Sequence, residues 1–380
     1  MNFEFDQDQK AILDTVKIFL QRELAPHVEE IQDNDHLPDG FFKKAGELGI
    51  IGLSMPEEFG GSEMPVETLM AVYTEIGKVC PGPTIAITTT LAGMEIIRKY
   101  GSQELKDKYL EACIMGDIVG SMAFTEAGTG SDPKQLTTVA TEDENYIILN
   151  GVKRFITNAA YPGPMIVYAK ASDDGACSAY VIDKFCDGYS LSSKWEKIGL
   201  RGSPIYDVFL DNICIPKTNR VGKKGAGFDI LLSESAVGKM GHAAMSLGIM
   251  EACKSLGIKY AKEKLHREKP ITKFQAIQLK IADICMLTES AKWMVYKCAA
   301  LASKDTTSQE FRAYAALVKA YAAETVPKVA LMAMNLMGAY GPMREYQVER
   351  YLRDAVTEPH VEVVSDVQRI ISAGYFIAQE

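Results

Sequence analysis

The chain has 380 residues, 47% of them hydrophobic and 24% charged, which exceeds one ordinary domain and excludes a disordered protein. Its net charge of −9 repels polyanions over most of the surface, which argues against nucleic acid as a partner and requires a local basic pocket for any phosphorylated ligand. The eight cysteines are scattered without a Cys-x-x-Cys pair, as expected of free thiols in a reducing compartment.

The N-terminal stretch carries acids early and has no basic-then-apolar signal pattern. No run approaches the ~18 apolar residues of a membrane span, so a cytoplasmic location away from membranes is expected. Residues 1–120 form the first expected domain, and it is helical. Between Asp6 and Leu24 the apolar residues Ile12, Leu13, Val16, Phe19 and Leu20 share one face of a helix. A Pro-Gly loop at Pro56–Gly61 precedes a helix from about Val66, and Ser102 is a fitting N-cap for a helix that stops at Gly116. Residues 121–225 change texture. Short β-branched and aromatic runs at Tyr146–Leu149, Met165–Tyr168, Ala179–Ile182 and Val208–Leu210 are separated by turn signals, including Asn150-Gly151 and Asp211-Asn212. This pattern predicts a small antiparallel β-domain. Residues 226–380 turn helical again, in Ala- and Met-rich segments near 228–265, 272–304, 309–337 and 361–377 that suit an antiparallel four-helix bundle. The expected fold class is therefore α+β, mostly α, in the order helical domain, β-domain, bundle.

Standard motifs are absent. Gly128-Thr-Gly130 ends in proline where a dinucleotide fingerprint needs glycine, and Gly222–Gly227 lacks Walker spacing. The five histidines have no ligand spacing, so no metal site is expected. Three segments remain. Phe124-Thr-Glu-Ala-Gly-Thr-Gly-Ser-Asp132 offers open backbone amides and hydroxyls that could cradle a flavin edge or a phosphate, or could be a polar loop entering a strand. Arg154-Phe-Ile-Thr-Asn158 sets an aromatic ring two residues before a hydroxyl. Glu362, among Val361, Val363 and Val364, is either a base strengthened by desolvation or a solvated acid at a helix start.

Taken in order, these segments resemble the acyl-CoA dehydrogenase family over essentially the whole chain. MPEEFGGSEMP is similar to its N-terminal loop, and AFTEAGTGSD with NGVKRFITN to its flavin-holding signature. Lys197–Pro216 resembles its closing β-domain segment, and Arg344–Ala355 (REYQVERYLRDA) is the most specific C-terminal match. The resemblance implies FAD as cofactor. Phe124, Thr125, Gly130, Ser131, Phe155 and Thr157 would hold the flavin, with Thr157 near N5 and Phe155 against the ring. Lys264, Phe274, Gln275, Asn335, Gly338, Ala339 and Ser365 would be further FAD contacts, partly to a neighbouring subunit's cofactor. Counting from Arg353-Asp354 puts Glu362 on the family's C-terminal catalytic glutamate, while Gly238 occupies the alternative base position on the earlier bundle helix.

The implied reaction is α,β-dehydrogenation of an acyl-CoA, Glu362 taking the α-proton as hydride passes to flavin N5, or the reverse reduction of an enoyl-CoA. Ser131, Ser235, Lys239 and Val363 would contact the substrate. The resemblance also implies an electron-transfer flavoprotein as partner and a homotetramer built as a dimer of dimers. Departures from the family pattern are Val363-Val364 where Gly-Thr or Gly-Ser is usual, Lys264 and Arg267 for Arg and Phe, and Asn335 and Gly338-Ala339 for Gln and Gly-Gly. Ser235, Ala236 and Lys239 stand where an aromatic, an Asp and an Arg are usual, which leaves room for a carrier-protein thioester or an unusual acyl group. A degenerate, non-catalytic subunit is the remaining reading.

Overall fold

The computed structural model describes residues 5–129 and 135–380. The first helix begins where local chemistry dictates. Asp6 accepts from the Gln9 N–H while the Gln9 side chain accepts from the Asp6 N–H, a reciprocal capping box that opens α1 (Gln7–Phe19). Leu13, Val16 and Phe19 bury one face of it. Helices α2 (Val28–Asn34), α3 (Phe41–Glu47), α4 (Val66–Val79), α5 (Gly82–Tyr100) and α6 (Gln103–Ile114) follow. Ser102 caps α6 by accepting from the Leu105 N–H at 3.4 Å.

The middle of the chain forms one sheet from β1 (Ser121–Ala123), β2 (Val139–Glu142), β3 (Tyr146–Thr157), β4 (Pro164–Ala171), β5 (Cys177–Asp183), β6 (Tyr189–Leu191), β7 (Ile205–Pro216) and β8 (Arg220–Val221). The strand order is β6-β7-β3-β2-β4-β5-β8, with β1 beside β4. The expected antiparallel pairing holds at β2–β3, β3–β7, β6–β7, β4–β5 and β5–β8. Two pairings depart from it: β1 and β2 both run parallel to β4. The connection after β3 steps over β2, so the returning strand lies on its far side and points the same way.

Two of the turn signals in the sequence turn out to be one bulge. Asn150-Gly151 lies inside β3 and Asp211-Asn212 inside β7, at a register shift between Leu149 and Gly151. Three steps along β7 there match two along β3. Asn150 Oδ1 accepts from the Asn212 N–H at 2.9 Å, and Asn150 Nδ2 donates to Asn212 Oδ1 at 3.2 Å. The extra residue is accommodated by Asn212 at φ +51°, a conformation asparagine tolerates.

The C-terminal part is a bundle of α7 (Gly227–Glu263), α8 (Gln275–Ala302), α9 (Gln309–Met337) and α11 (Ser365–Ile377), joined by the shorter α10 (Val348–Thr357). A small hairpin of β9 (Leu265–His266) and β10 (Lys269–Pro270) links α7 to α8. Helix α7 crosses α4 backbone to backbone: a Cβ at Gly248 would lie 2.3 Å from the Thr74 carbonyl oxygen, and one at Gly77 2.6 Å from that of Met245. That close crossing fixes the helical N-terminal part against the bundle.

Candidate active site

The turn between α10 and α11 carries Glu362 in the left-handed region, at φ +64°. Such a backbone costs a non-glycine residue about 1–3 kcal/mol and persists only when its surroundings hold it. Here a fully buried lysine does so. Lys319 Nζ, on α9, donates to the carbonyl oxygens of Glu358 (3.1 Å), Val361 (3.0 Å) and Val363 (3.1 Å). Gln368 Nε2 donates to Glu362 Oε2 at 3.2 Å and to the Val363 carbonyl at 3.4 Å. The backbone N–H of Glu362 has no acceptor among the described residues, which leaves it for a ligand.

The Glu362 side chain keeps solvent access, although Lys239, His242, Lys319 and Gln368 stand around its carboxylate. Desolvation by that surrounding raises its carboxyl above the ordinary carboxylate range; Lys239, His242 and Lys319 pull it down and Glu358 pushes it further up. Lys239 and His242 lie one turn apart on α7. Lys239 is buried, its Nζ 3.1 Å from Ser235 Oγ, and burial lowers its amine. His242 Nδ1 lies 3.1 Å from Glu358 Oε1, both side chains buried. The structure thus brings Glu362, Val363, Ser365, Lys239 and Ser235 into one neighbourhood. The Ser365 hydroxyl is buried there with no hydrogen-bond partner among the described residues.

A second group of residues is organised by a β3 bulge. Between Lys153 and Ile156 three residue steps of β3 face two of β7, and Phe155 adopts φ +59°. The bulge turns Phe155 outward, half exposed, with its ring edge-to-face against exposed Trp195 at 5.3 Å. Arg154 flanks both rings and pairs with Asp207 at 3.2 Å, and Asp207 also accepts from Trp195 Nε1 at 3.0 Å. The Thr125 and Thr157 hydroxyls have no partner among the described residues. The Thr125 carbonyl accepts from the Arg154 N–H (2.8 Å), and the Thr157 carbonyl from Ser121 Oγ (2.6 Å). Phe124 lies inward, between Tyr168 and Phe228. Gly130 and Ser131 lie outside the described residues.

A buried ion pair anchors the segment leading to these residues. Glu126 accepts from the N–H and hydroxyl of both Thr137 and Thr138, and from Lys153 Nζ at 2.7 Å. Burial alone would raise its carboxyl, but Lys153 and the two threonines bring it down to about 2. Beyond Thr157, Asn158 donates to the carbonyls of Ala86 (2.8 Å) and Gly120 (3.0 Å), which ties the strand end to α5.

The remaining expected contacts gather at the opposite end of α7. Lys264 caps that helix with its amine 5.1 Å from the Tyr340 ring, beside the turn of Gly338 and Ala339 that follows Asn335. Phe274 and Gln275 start α8, and the His266 ring packs on Phe274 at 5.4 Å. Phe124 stands at the beginning of α7, against Phe228, whereas Lys264 stands at its end. With 37 residues the helix is about 55 Å long, too far for one dinucleotide to span. The structure therefore brings the expected cofactor residues together as two separate groups.

Lys319, Trp195 and the charged wall of a cavity were not singled out from the sequence, whereas its lining by Thr88, Leu91 and Ala92 falls on the stretch Thr88–Met94 expected there as a pocket floor. Lys319 was detectable as a lone cation in an apolar helical run, Ala315–Ala323; Trp195 had no local signal. The cavity, about 190 Å³, lies between α4, α5 and α7 and reaches Gly238, next to Lys239. A Cβ at Gly238 would meet open space.

Family models match the chain in three consecutive stretches: residues 6–117 to "Acyl-CoA dehydrogenase, N-terminal domain", 121–213 to the middle domain and 225–374 to the C-terminal domain. A Bacillus subtilis (strain 168) protein named "Acyl-CoA dehydrogenase" is 33% identical over 375 residues, covering 98% of both chains. "Acryloyl-CoA reductase (NADH)" of Anaerotignum propionicum is 31% identical over 378 residues, 98% of this chain and 95% of that one. A chain in the solved structure "Electron transferring flavoprotein of Acidaminococcus fermentans: Towards a mechanism of flavin-based electron bifurcation" superposes with a TM-score of 0.94 at 31% identity, covering 99% of each.

Proposed function

Because the chain belongs to the acyl-CoA dehydrogenase family, we propose that it is an FAD-dependent enzyme that removes two hydrogens across the α,β bond of an acyl thioester, or adds them in reverse. The carrying observation is the Glu362 turn, where one strained residue joins a carboxylate of raised basicity to an unused backbone N–H. Glu362 is the base for the α-proton. Its N–H is placed to donate to the thioester carbonyl, which stabilises the enolate-like charge that develops as the proton leaves. Lys319 and Gln368 are positioning residues that hold carboxylate and N–H in register.

The residues near the β3 bulge fit a flavin. An exposed aromatic pair offers a face, and the free hydroxyls of Thr125 and Thr157 offer hydrogen bonds at an edge. FAD, when bound, supplies the hydride acceptor. The second group, around Lys264, Phe274, Gln275, Asn335, Gly338 and Ala339, would reach the cofactor of another copy. An exposed stripe on α8 at heptad spacing, Leu279, Met286 and Trp293, supports an assembly of subunits, a homotetramer by family likeness. Reduction of an enoyl thioester finds a parallel in the reductase relative, and an electron-transfer flavoprotein is the partner suggested by the structural neighbour. No described helix is long and apolar enough to cross a membrane, and a cytoplasmic site of action is part of the same proposal.

A carrier-protein thioester is the second reading, favoured because the buried Lys239 amine is engaged with Ser235 and no aromatic side chain stands at 235. Purification with bound FAD, and anaerobic bleaching of the flavin by acyl-CoA thioesters, is the expected outcome. Bleaching by acyl-carrier-protein thioesters alone would select the second reading. A protein that cannot be loaded with FAD would contradict both.

A further inference from the structure

The cavity that reaches Gly238, the chain neighbour of Lys239, has a wall unlike that of a hydrocarbon pocket. Leu69, Leu91, Ala92 and Val237 line part of it, but Glu95, Arg98, Lys99 and Glu234 line it as well. These four form a connected ionic set, with Glu58 also acting on Arg98. Arg98 Nη2 lies 2.7 Å from Glu95 Oε2, and Lys99 Nζ bridges Glu95 (3.4 Å) and Glu234 (2.8 Å). Glu234 also accepts from Ser233 Oγ (3.0 Å) and Tyr100 OH (3.4 Å). The carboxylates are thus engaged, whereas Arg98 Nη1 and the hydroxyls of Ser54 and Thr306, on the same wall, have no partner among the described residues.

An independent observation lies closer to α7. Tyr73, another wall residue, is almost wholly buried, and its phenol oxygen has no hydrogen-bond partner among the described residues. Its ring packs on Gly241, where a Cβ would lie 3.3 Å from Tyr73 Cε2. A buried phenol without a partner has lost its water and gained nothing for it, so a ligand that satisfies it is preferred.

We propose that the acyl group taken by this enzyme carries an uncharged oxygen function, a hydroxyl, keto or amide group, on its distal carbons, and that Tyr73 and the Arg98 side of the cavity recognise it. This rests on the acyl-thioester reading of the site. A plain alkyl end would take water from Arg98 and Lys99 and offer nothing in return. A carboxylate end would meet a set that is already neutral, two acids against two bases, with Glu95 and Glu234 close by. A neutral oxygen accepts from Arg98 and Tyr73 without adding charge.

The test uses the FAD-loaded protein and four thioesters of equal chain length with alkyl, ω-hydroxy, ω-keto and ω-carboxy ends. Flavin bleaching and calorimetric binding would be read together. The ω-hydroxy or ω-keto compound is expected to bind at least tenfold more tightly than the alkyl one, and Tyr73→Phe to reduce that ratio severalfold. A paired Glu95→Leu, Arg98→Leu variant, which leaves no lone charge, is expected to do the same. Preference for the alkyl or ω-carboxy compound, or a ratio unmoved in both variants, overturns the proposal while leaving the dehydrogenase reading intact. Failure of all four to bind or bleach overturns that reading and this proposal with it.

Discussion

At the scale of single residues, the site depends on carboxyl and amine groups displaced from their ordinary behaviour. Desolvation raises the Glu362 carboxyl, so it remains protonated to higher pH than a free glutamate near 4.3. A base must be ionised, and kcat/KM is therefore expected to fall as pH drops through a value above that range; a pH–rate profile flat down to pH ~4.5 would contradict the assignment. Lys184 behaves oppositely. Its amine, buried with no acidic partner among the described residues, donates to the carbonyls of Val119 (2.7 Å) and Asn158 (2.9 Å), and burial brings it down to about 7. A folded-state value depressed below the unfolded ~10.4 gives a contribution that is present above pH ~10.4 and lost as pH falls through about 7. Denaturant titrations should show stability declining by up to about 1.4 kcal/mol per pH unit across that window, and Lys184→Met should flatten the slope. Glu362 stood out in the sequence because its neighbours are all valine. Lys319 and Tyr73 did not, because what makes them notable, three carbonyls from a distant turn and a missing partner, exists only after folding.

At the scale of elements, bulges and clamps do more than regular pairing. The bulge at Arg154-Phe155 turns an aromatic ring out of the sheet, and the bulge at Asp211-Asn212 explains why turn residues occur inside long strands. The sequence made the strands legible through their β-branched runs, but Asn-Gly reads as a turn whenever its cross-strand partner is unknown, so β3 and β7 looked shorter than they are. Short β1, β2, β6 and β8 carried too few residues to signal a period. The helices were easier: the capping Ser102, the one-faced apolar pattern between Asp6 and Leu24 and the long Ala-rich segments are local signals. Lys319→Met tests the clamp between α9 and the Glu362 turn. It should lower kcat by ten- to a hundredfold with thioester Kd changed little, and lower stability by about 1–3 kcal/mol. A variant with unchanged kcat would reduce Lys319 to a purely structural lysine.

At the scale of the whole molecule, two buried carboxylates tie the sheet to both helical parts. Asp354 of α10 accepts from the Leu200 N–H at 2.6 Å, and Asp35 from the Gly202 N–H at 2.7 Å, which pins the loop between β6 and β7 to both helical parts. The length of α7 separates the two groups of expected cofactor residues, and the exposed α8 stripe offers a way to bring them together across a subunit boundary. Met286→Glu, in the middle of that stripe, is expected to yield a smaller species by light scattering and to weaken FAD retention. An unchanged mass would place the interface elsewhere. Family likeness ran over the whole chain and made the architecture legible early. The polar cavity wall was not, since Tyr73, Arg98 and Glu234 come from three different helices and meet only in the fold.

The central claim is that Glu362 removes the α-proton. The most direct measurement is stopped-flow flavin reduction by a saturating thioester that bleaches the wild type, repeated with Glu362→Gln under the same anaerobic conditions. A rate lowered on the order of 10²–10⁴-fold, with thioester binding and FAD content retained, is the result required. Flavin reduction at the wild-type rate in the variant would contradict it.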